Sequence, residues 1–385
     1  MRHQTLLNHI TGIIAGFDFS VPLHHYLKNH FRQNKQLGSR DRKIISSGCY
    51  AFYRCALLLP HKSVEEKLAL SFFITNETNL LSKYLFEKYY ITNNESHNLS
   101  EKLEFNKQQG GINPDIAFPF LNLLSEEIDK EVFTASMFQQ PLVWIRIRKG
   151  FEQHVSDELK SKEITPLQIE GKTLGFAPAA PLTTLESYLK GYFEIQDLSS
   201  QQTLSLLPDN CGQRMWDCCS GSGGKTLLLA DRFPNASFFL TDIRSSSLQN
   251  AETRLKKATV RNYKTLQADL TSDLNFNEKF DVIIADVPCS GSGTWCRTPE
   301  NFWNFDKHKI KDYAELQFTI AKQATMHLKS NDLFLYLTCS AFAEENEENT
   351  KRIAKHCNLS IVVQKFFHGY SLQADTMYGC VMMGF

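Results

Sequence analysis

The chain has 385 residues, 42% of them apolar, with 42 basic and 42 acidic side chains. That length exceeds one ordinary core and predicts two or three domains of a globular protein. A net charge of zero gives no global argument for a nucleic-acid partner, and no apolar run approaches the roughly 18 residues of a membrane span.

The start, "MRHQTLLNHITGIIAGF", is not expected to be a secretory signal, because Asn8 and His9 interrupt its apolar region. The ten cysteines include no C-x-x-C pair, which argues against a zinc site or a disulfide framework. Free thiols, no metal and a cytoplasmic location are the expectation. Charge is uneven along the chain: residues 1–60 hold eight Lys/Arg against two Asp/Glu, and residues 61–137 hold seven against twelve. The basic cluster is densest in "FRQNKQLGSRDRK", which includes Arg40, Arg42 and Lys43. A solvated helix end accounts for such a run on charge alone; the alternative is a face for RNA phosphates.

In chain order, residues 1–135 show helix-length segments with 3-4 spacing, such as "SRDRKIISSGCYAFYRCALLL" and "VEEKLALSFFI", and predict an all-helical domain. Ser39 is the expected N-cap of the first of these, with Asp41 in its first turn. Residues 136–190 open with an alternating strand, "PLVWIRIRKG", followed by a short helix and Gly/Pro-rich pieces, and predict a small α+β domain. From 191 to 385 strands and helices alternate. The strands are "RMWDCC", "SFFLTDI", "YKTLQADL", "FDVIIADV" and "LFLYLTC", then "LSIVVQKF" and "YGCVMMGF" as an antiparallel hairpin at the edge. This order predicts a doubly wound α/β sheet.

Ligands of such sheets bind beyond the carboxyl ends of the strands. Four successive strands finish on or beside an aspartate: Asp217, Asp242, Asp269 and Asp286. After the first comes "CCSGSGGKT", a glycine loop that opens a helix. Asp242 follows Gly224 at the distance usual for an acid that accepts from a ribose diol. Lys225-Thr226 does not make a phosphate loop, because the required first glycine is Cys219, and the G-x-G-x-x-G of nicotinamide enzymes is missing. Acids at strand ends suit adenosine with a cationic tail better than a polyphosphate, which favours S-adenosylmethionine.

"DCCSGSGGKT", "TDIRSSSLQN", "LQADL", "FDVIIADVPCSGSG" and "YLTCSAFAEENE" resemble, in order and spacing, the RsmB/Sun family of S-adenosylmethionine-dependent RNA cytosine-C5 methyltransferases. "FEIQDLSSQ" (193–201) and "RTPENFW" (297–303) are similar to flanking segments of that family. "LGSRDRKIISSGCYAFYRC" resembles the NusB-like RNA-binding domain that precedes the catalytic domain in some members. The resemblance implies a Rossmann-like class I methyltransferase sheet at 191–385, with an RRM-like domain at 136–190 before it. It places the cofactor among Cys219, Ser220, Gly221, Ser222, Gly223, Gly224, Lys225, Asp242, Asp269 and Asp286. It makes Cys339 the nucleophile and Cys289 its helper. One departure is Ser220-Gly221-Ser222, where the family usually carries Ala-Ala-Pro; losing the proline removes a φ restraint and predicts a floppier empty loop.

The chemistry accounts for two thiols. Carbon 5 of cytosine is too weak a nucleophile to take a methyl from a sulfonium, and a thiolate added to carbon 6 makes it enamine-like. Cys339, ahead of a helix expected to begin at about Ala343, has N–H groups nearby that favour a thiolate. Asp286 could hydrogen-bond cytosine N3 and N4. Cys289 is placed to assist the closing elimination.

Cys49, Cys55, Cys357 and Cys380 read as small buried hydrophobes, and Cys218 and Cys296 as neighbours without a role. Arg297 either contacts phosphate or pairs with Glu300; the strand basics Arg146 and Arg148 divide between RNA contact and a solvated face. "EENEEN" (344–349) reads as an acid-rich helix start rather than a metal site. An amino methyltransferase would want Asp/Asn-Pro-Pro-aromatic where this chain has Asp-Val-Pro-Cys. A non-catalytic RNA-binding assembly factor is the other alternative. Small-subunit ribosomal RNA is the leading substrate and transfer RNA the second, for an enzyme expected to act as a monomer.

Overall fold

The computed structural model describes residues 2–92, 98–272, 274 and 276–384. The chain forms two compact units. One holds Met1–Asn122, Asp129–Gln140 and Thr294–Asp306; the other holds Leu123–Ile128, Pro141–Gly293 and Lys307–Phe385.

The first unit is helical. Its central helix, Val64–Ile74, buries every residue from Leu68 to Ile74 and so has no solvent face over that stretch. A capping box of Ser63 and Glu66 fixes its start. Helix Ser39–Cys55 lies close to helix Arg2–Gly16, and a Cβ on Gly48 would come within 2.6 Å of Ile10 Cδ1. Its N-cap is Gly38, with no side-chain cap, so Ser39 is its first residue rather than the expected cap. Asp41 accepts a bond from Arg2 at 2.7 Å.

Residues 294–306, which the sequence places inside the catalytic stretch, pack into this helical unit. Trp303 Nε1 donates to Tyr53 O at 2.6 Å, and Arg54 donates to Cys296 O at 2.6 Å. Glu300 accepts the N–H of Leu23 at 3.1 Å, supplying the cap that Pro22 cannot give to helix Leu23–Gln33.

The second unit holds two sheets. The smaller has strands β1 (Val143–Ile147), β2 (Gln168–Glu170), β3 (Thr173–Phe176) and β4 (Phe193–Ile195), in the order β2-β3-β1-β4 and antiparallel throughout. The expected boundary at residue 190 falls just ahead of β4, which pairs with β1 and completes this sheet.

The larger sheet has β5 (Arg214–Asp217), β6 (Ser237–Asp242), β7 (Tyr263–Gln267), β8 (Phe280–Asp286), β9 (Leu328–Thr338), β10 (Leu359–His368) and β11 (Thr376–Gly384). Their order is β10-β11-β9-β8-β5-β6-β7. The five strands from β9 to β7 are parallel, and Val282–Ala285 at the centre are fully buried, as expected for a sheet covered on both faces. The last two strands form the expected antiparallel hairpin at one edge of the sheet, with β10 outermost and β11 pairing antiparallel to β9. Strand order reverses between β5 and β8, which sets the ligand crevice at their carboxyl ends.

Candidate active site

β5, β6 and β8 each end on their aspartate, Asp217, Asp242 and Asp286; Asp269 lies two residues beyond β7. The glycine loop is tied to the end of β6. Ser220 N–H donates to Thr241 O at 2.9 Å, and Gly221 N–H donates to Asp242 Oδ2 at 2.8 Å. Gly221 and Gly223 have φ of 52° and 77°, and a Cβ on Gly223 would sit 3.0 Å from that of Ala251. Glycine is required there both for its backbone angle and for the close approach. Helix Gly224–Arg232 starts directly afterwards.

Ser222, which stands where a proline restraint was expected to be missed, is restrained by a side chain instead. Arg254 donates to Ser222 O and Oγ, each at 2.9 Å, and pairs with Glu194 at 2.7 Å.

The carboxylates differ in surroundings. Asp242 is buried and also accepts from the N–H and Nε of Arg244 at 2.9 and 3.2 Å. Asp269 is exposed, and the hydroxyl and N–H of Thr271 hold its carboxyl below the usual range. Asp286 Oδ2 accepts from Lys225 Nζ at 3.0 Å, and the same ammonium reaches Ser200 Oγ at 2.7 Å. Burial pushes Asp217 up to about 7 against the opposing Thr226 hydroxyl bond of 2.6 Å, and its Oδ1 has no partner.

Together these elements enclose a cavity of about 670 Å³, which every sequence-predicted cofactor residue except Gly223 lines. Its volume falls within the range of small-molecule sites. The donor set fits S-adenosylmethionine. Backbone N–H groups at a helix start face an anionic end, acids face a diol and a cation, and Ser220 Oγ is buried with no protein partner. Sequence reasoning missed Gln196, Ser200, Arg244 and Arg254, which also line the cavity. Gln196 and Ser200 lie within the 193–201 segment and Arg244 within "TDIRSSSLQN", which were the available signals.

Both thiols meet at the open end of β8 and β9. Cys289 Sγ lies 3.3 Å from Cys339 Sγ, and both are half-buried. The loops that carry them are joined by Gly293 N–H to Cys339 O at 2.9 Å, where a Cβ would fall 2.2 Å from Thr376 O. The bond to Cys339, followed by burial and the charges of Cys339 and Glu345, pushes the Cys289 thiol well up. Cys218, Cys49, Cys55 and Cys380 are buried thiols pushed up chiefly by burial, as small hydrophobes should be. The helix expected at about Ala343 is a 3-10 turn, Ala343–Glu345, and the α-helix begins at Glu347. Glu345, read from the sequence as part of an acid-rich helix start, is fully buried.

The RNA candidates divide. Arg40 and Lys43 are exposed on helix Ser39–Cys55, and Arg42 is half-buried, with its Nε bonded to Leu37 O at 2.8 Å. Arg297 is half-buried within the helical unit. Arg146 and Arg148 both pair with Asp231 inside the second unit, Arg148 at 2.9 Å, so one carboxylate offsets one of their two charges. Alternation along β1 shows which residues share a face but not what that face meets.

Comparisons agree with this geometry. Ribosomal RNA small subunit methyltransferase B of Klebsiella pneumoniae subsp. pneumoniae is 30% identical over 218 residues, covering 54% of this chain and 50% of the relative. The Escherichia coli relative of the same name is 30% identical over 224 residues, covering 55% and 51%. The chain thus spans about half the length of the curated relatives it matches. The solved structure of PH0851 superimposes with a TM-score of 0.73 at 16% identity, covering 99% of this chain and 98% of that one. NSun6 from Pyrococcus horikoshii, solved with SFG, gives 0.60 at 17%, covering 69% and 96%. These likenesses establish the class I methyltransferase fold. Residues 203–378 match the family described as 16S rRNA methyltransferase RsmB/F, and the glycine loop, the strand-end acids and the paired thiols all lie within that match.

Proposed function

We propose that the protein is an S-adenosylmethionine-dependent RNA cytosine-C5 methyltransferase acting on small-subunit ribosomal RNA through a covalent adduct. The observation that carries this reading is the 3.3 Å approach of Cys289 to Cys339, three residues beyond a carboxylate that lines the cofactor cavity. An amino methyltransferase has no use for that pair, and an idle fold would not hold two thiols in contact at the mouth of a formed cavity.

When bound, the cofactor supplies an electrophilic methyl on a sulfonium. Asp242 holds the ribose hydroxyls, and the N–H groups of the Gly224 helix start hold the anionic end. Cys339 adds its thiolate to carbon 6, forming an S–C bond and moving the double-bond electrons toward N3. Asp286 accepts from the N4 amino group through the oxygen that Lys225 leaves free, and N3 takes a proton from solvent as that charge develops. Once carbon 5 is methylated, its proton passes to Cys289. The carbon–hydrogen electrons re-form the ring double bond, and Cys339 leaves as thiolate.

The thiol contact times this sequence. At rest, Cys339 is the largest influence keeping the proton on Cys289. When the Cys339 sulfur is bonded to carbon 6, that hydrogen bond and that charge are gone. Cys289 then gives up its proton to solvent more readily, which leaves a thiolate to take the carbon-5 proton.

RNA contact on this reading falls to the helical unit. A groove of about 520 Å³ there is lined by Lys28, Phe31, Arg32, Lys35 and Arg42, and no ion pair among the described residues involves Lys28, Arg32 or Lys35. Cations beside an aromatic ring suit a phosphate backbone with an unstacked base. Exposed Arg40 and Lys43, with Arg297, extend the same role. The description of the matched family and the names of the relatives support ribosomal over transfer RNA. Ten free thiols suit a cytoplasmic protein, and the reading needs only one copy of the chain.

Trapping tests the roles of the thiols. Cys339→Ala should abolish methylation and leave no adduct. Cys289→Ala should add and methylate, then accumulate a protein–RNA band on a denaturing gel, and the double variant should lose that band. Adducts from Cys339→Ala and none from Cys289→Ala would exchange the roles, and full activity of both variants would remove the thiols from the mechanism. Bisulfite sequencing of RNA from cells with and without the gene identifies the cytidine.

A further inference from the structure

β8 and β9 stop short of the thiols. Their last ladder contact is Val287 N–H to Leu337 O at 3.1 Å, so Cys289 and Cys339 stand on loops that the sheet does not pair directly. One buried carboxylate reaches both loops. Glu345 Oε2 accepts the N–H of Ser290, next to Cys289, at 2.8 Å, and Glu345 Oε1 accepts the hydroxyl of Ser340, next to Cys339, at 2.7 Å. Oε2 also accepts Gln317 Nε2 at 2.9 Å, and Gln317 bonds Pro288 O at 3.0 Å, which steadies the Cys289 loop from helix His308–Thr325. Asn346 holds the other side: its amide donates to Ser340 O at 2.9 Å.

We propose that Glu345 is a positioning residue that sets the separation of the two thiols by bridging their loops through Ser290 and Ser340. The inference rests on the methyltransferase reading above and goes beyond it, because it assigns the pairing of the thiols to a side chain that touches neither substrate nor cofactor.

Bridging explains features that a filler residue would not show. Glu345 is 0% exposed, and among the described residues no Lys or Arg pairs with it. An unpaired buried carboxyl is costly, and burial pushes this one up. Three converging donors offset that cost, and two of them come from the residues that follow the thiols. Asn346 and Thr338 brace the Cys339 loop, with Thr338 Oγ1 2.5 Å from Asn346 Oδ1, and Ser290 Oγ lies 3.1 Å from Ser340 Oγ, a contact between the same two residues that Glu345 joins. Ser292 also spans the loops, through Ala341 N–H at 2.8 Å, but from three residues past Cys289.

Misplacing a reacting group by about an ångström costs on the order of 100-fold, and the step that needs both thiols at once is release. Addition and methylation need Cys339 alone. Glu345→Ala should therefore slow multiple-turnover methylation of a small-subunit ribosomal RNA transcript by about 10- to 100-fold. Its single-turnover methyl burst should stay within about 3-fold of wild type, and an adduct should accumulate as for Cys289→Ala. Glu345→Gln keeps one oxygen for Ser290 and Gln317 and turns its amide toward the Ser340 hydroxyl, which can accept, so it should restore turnover and clear the adduct.

Normal turnover of Glu345→Ala without adduct would overturn the proposal. So would burst and turnover falling together with no adduct, since that marks general loss of structure. Should Glu345→Ala fail to fold, Ser340→Ala carries the test: adduct accumulation supports the bridge, and wild-type turnover overturns it. Wild-type protein that neither methylates nor forms a Cys339-dependent adduct sinks the proposed function and this inference with it. Wild type that does both, beside a Glu345→Ala that turns over freely, sinks only the inference.

Discussion

Asp242 offers the sharpest test of where the cofactor lies. Its Oδ2 accepts one backbone N–H, from Gly221 at 2.8 Å, and its Oδ1 accepts Arg244 N–H and Nε at 2.9 and 3.2 Å. A carboxylate has about four lone-pair sites, so Oδ2 keeps one for a ribose hydroxyl. The second hydroxyl need displace only Arg244 Nε, whose side chain is 67% exposed and readily solvated. Asp242→Ala removes hydrogen bonds to a charged group worth about 1.5–3 kcal/mol, or about 10- to 150-fold in affinity. Asp242→Asn keeps one acceptor and should lose less, while Arg244→Ala should change affinity little. Calorimetry with S-adenosylhomocysteine, which binds without reacting, measures all three. Unchanged affinity in a folded Asp242→Ala, or an equal loss in Arg244→Ala, would refute this placement of the ribose.

Two further outcomes follow from charge. Asp217 is a buried carboxyl raised from 3.8 to about 7, so the folded state holds its proton more tightly than the unfolded state does. Its contribution is present below about pH 4 and is lost as pH rises through about 7, on the order of 4 kcal/mol at 1.36 kcal/mol per unit. Asp217→Asn should remove that slope, so denaturant melts at pH 5 and pH 8 should differ less than for wild type; identical differences would contradict it. Reversing the charges of Arg32, Lys35, Arg40 and Lys43 should weaken RNA binding and flatten its salt dependence while cofactor affinity holds. An unchanged salt slope would reduce the stretch to a solvated helix face.

The site was legible where it depends on local order. A buried parallel strand must surface at its carboxyl end, so an apolar run that stops at Asp242 or Asp286 places that side chain in the crevice, whereas Asp217 is buried against Thr226. The glycine loop and the two thiols follow the same rule. What escaped depends on partners far apart in the chain. Arg148 reads as a possible RNA contact until Asp231, 83 residues on, is beside it. Arg254 replaces a proline restraint at Ser222 across 32 residues, and Glu300 caps a helix 277 residues before it. Glu345 left a faint signal: Glu345, Asn346, Asn349 and Thr350 fall on one helical face that runs into Ile353, and all are buried. A polar stripe pointing inward reads as solvated unless something marks the thiol loops as its counterpart.

Lys225 shows why the cofactor and base ends of the site form one device. It is the second residue of helix Gly224–Arg232, where the macrodipole disfavours a cation, and it is 6% exposed, where solvent cannot relieve it. Both costs are met by one contact: its ammonium lies 3.0 Å from Asp286 and 2.7 Å from Ser200. The same helix start presents N–H groups to the cofactor, and Asp286 faces both the cofactor cavity and, on the proposed mechanism, the cytosine. Any shift of the glycine loop therefore moves the ammonium that orients Asp286. A cofactor that seats the loop also seats the carboxylate that receives the base, and Cys289 follows Asp286 after only Val287 and Pro288 on the same short segment. On the proposed mechanism, cofactor binding and base reading therefore meet at the Lys225–Asp286 ion pair.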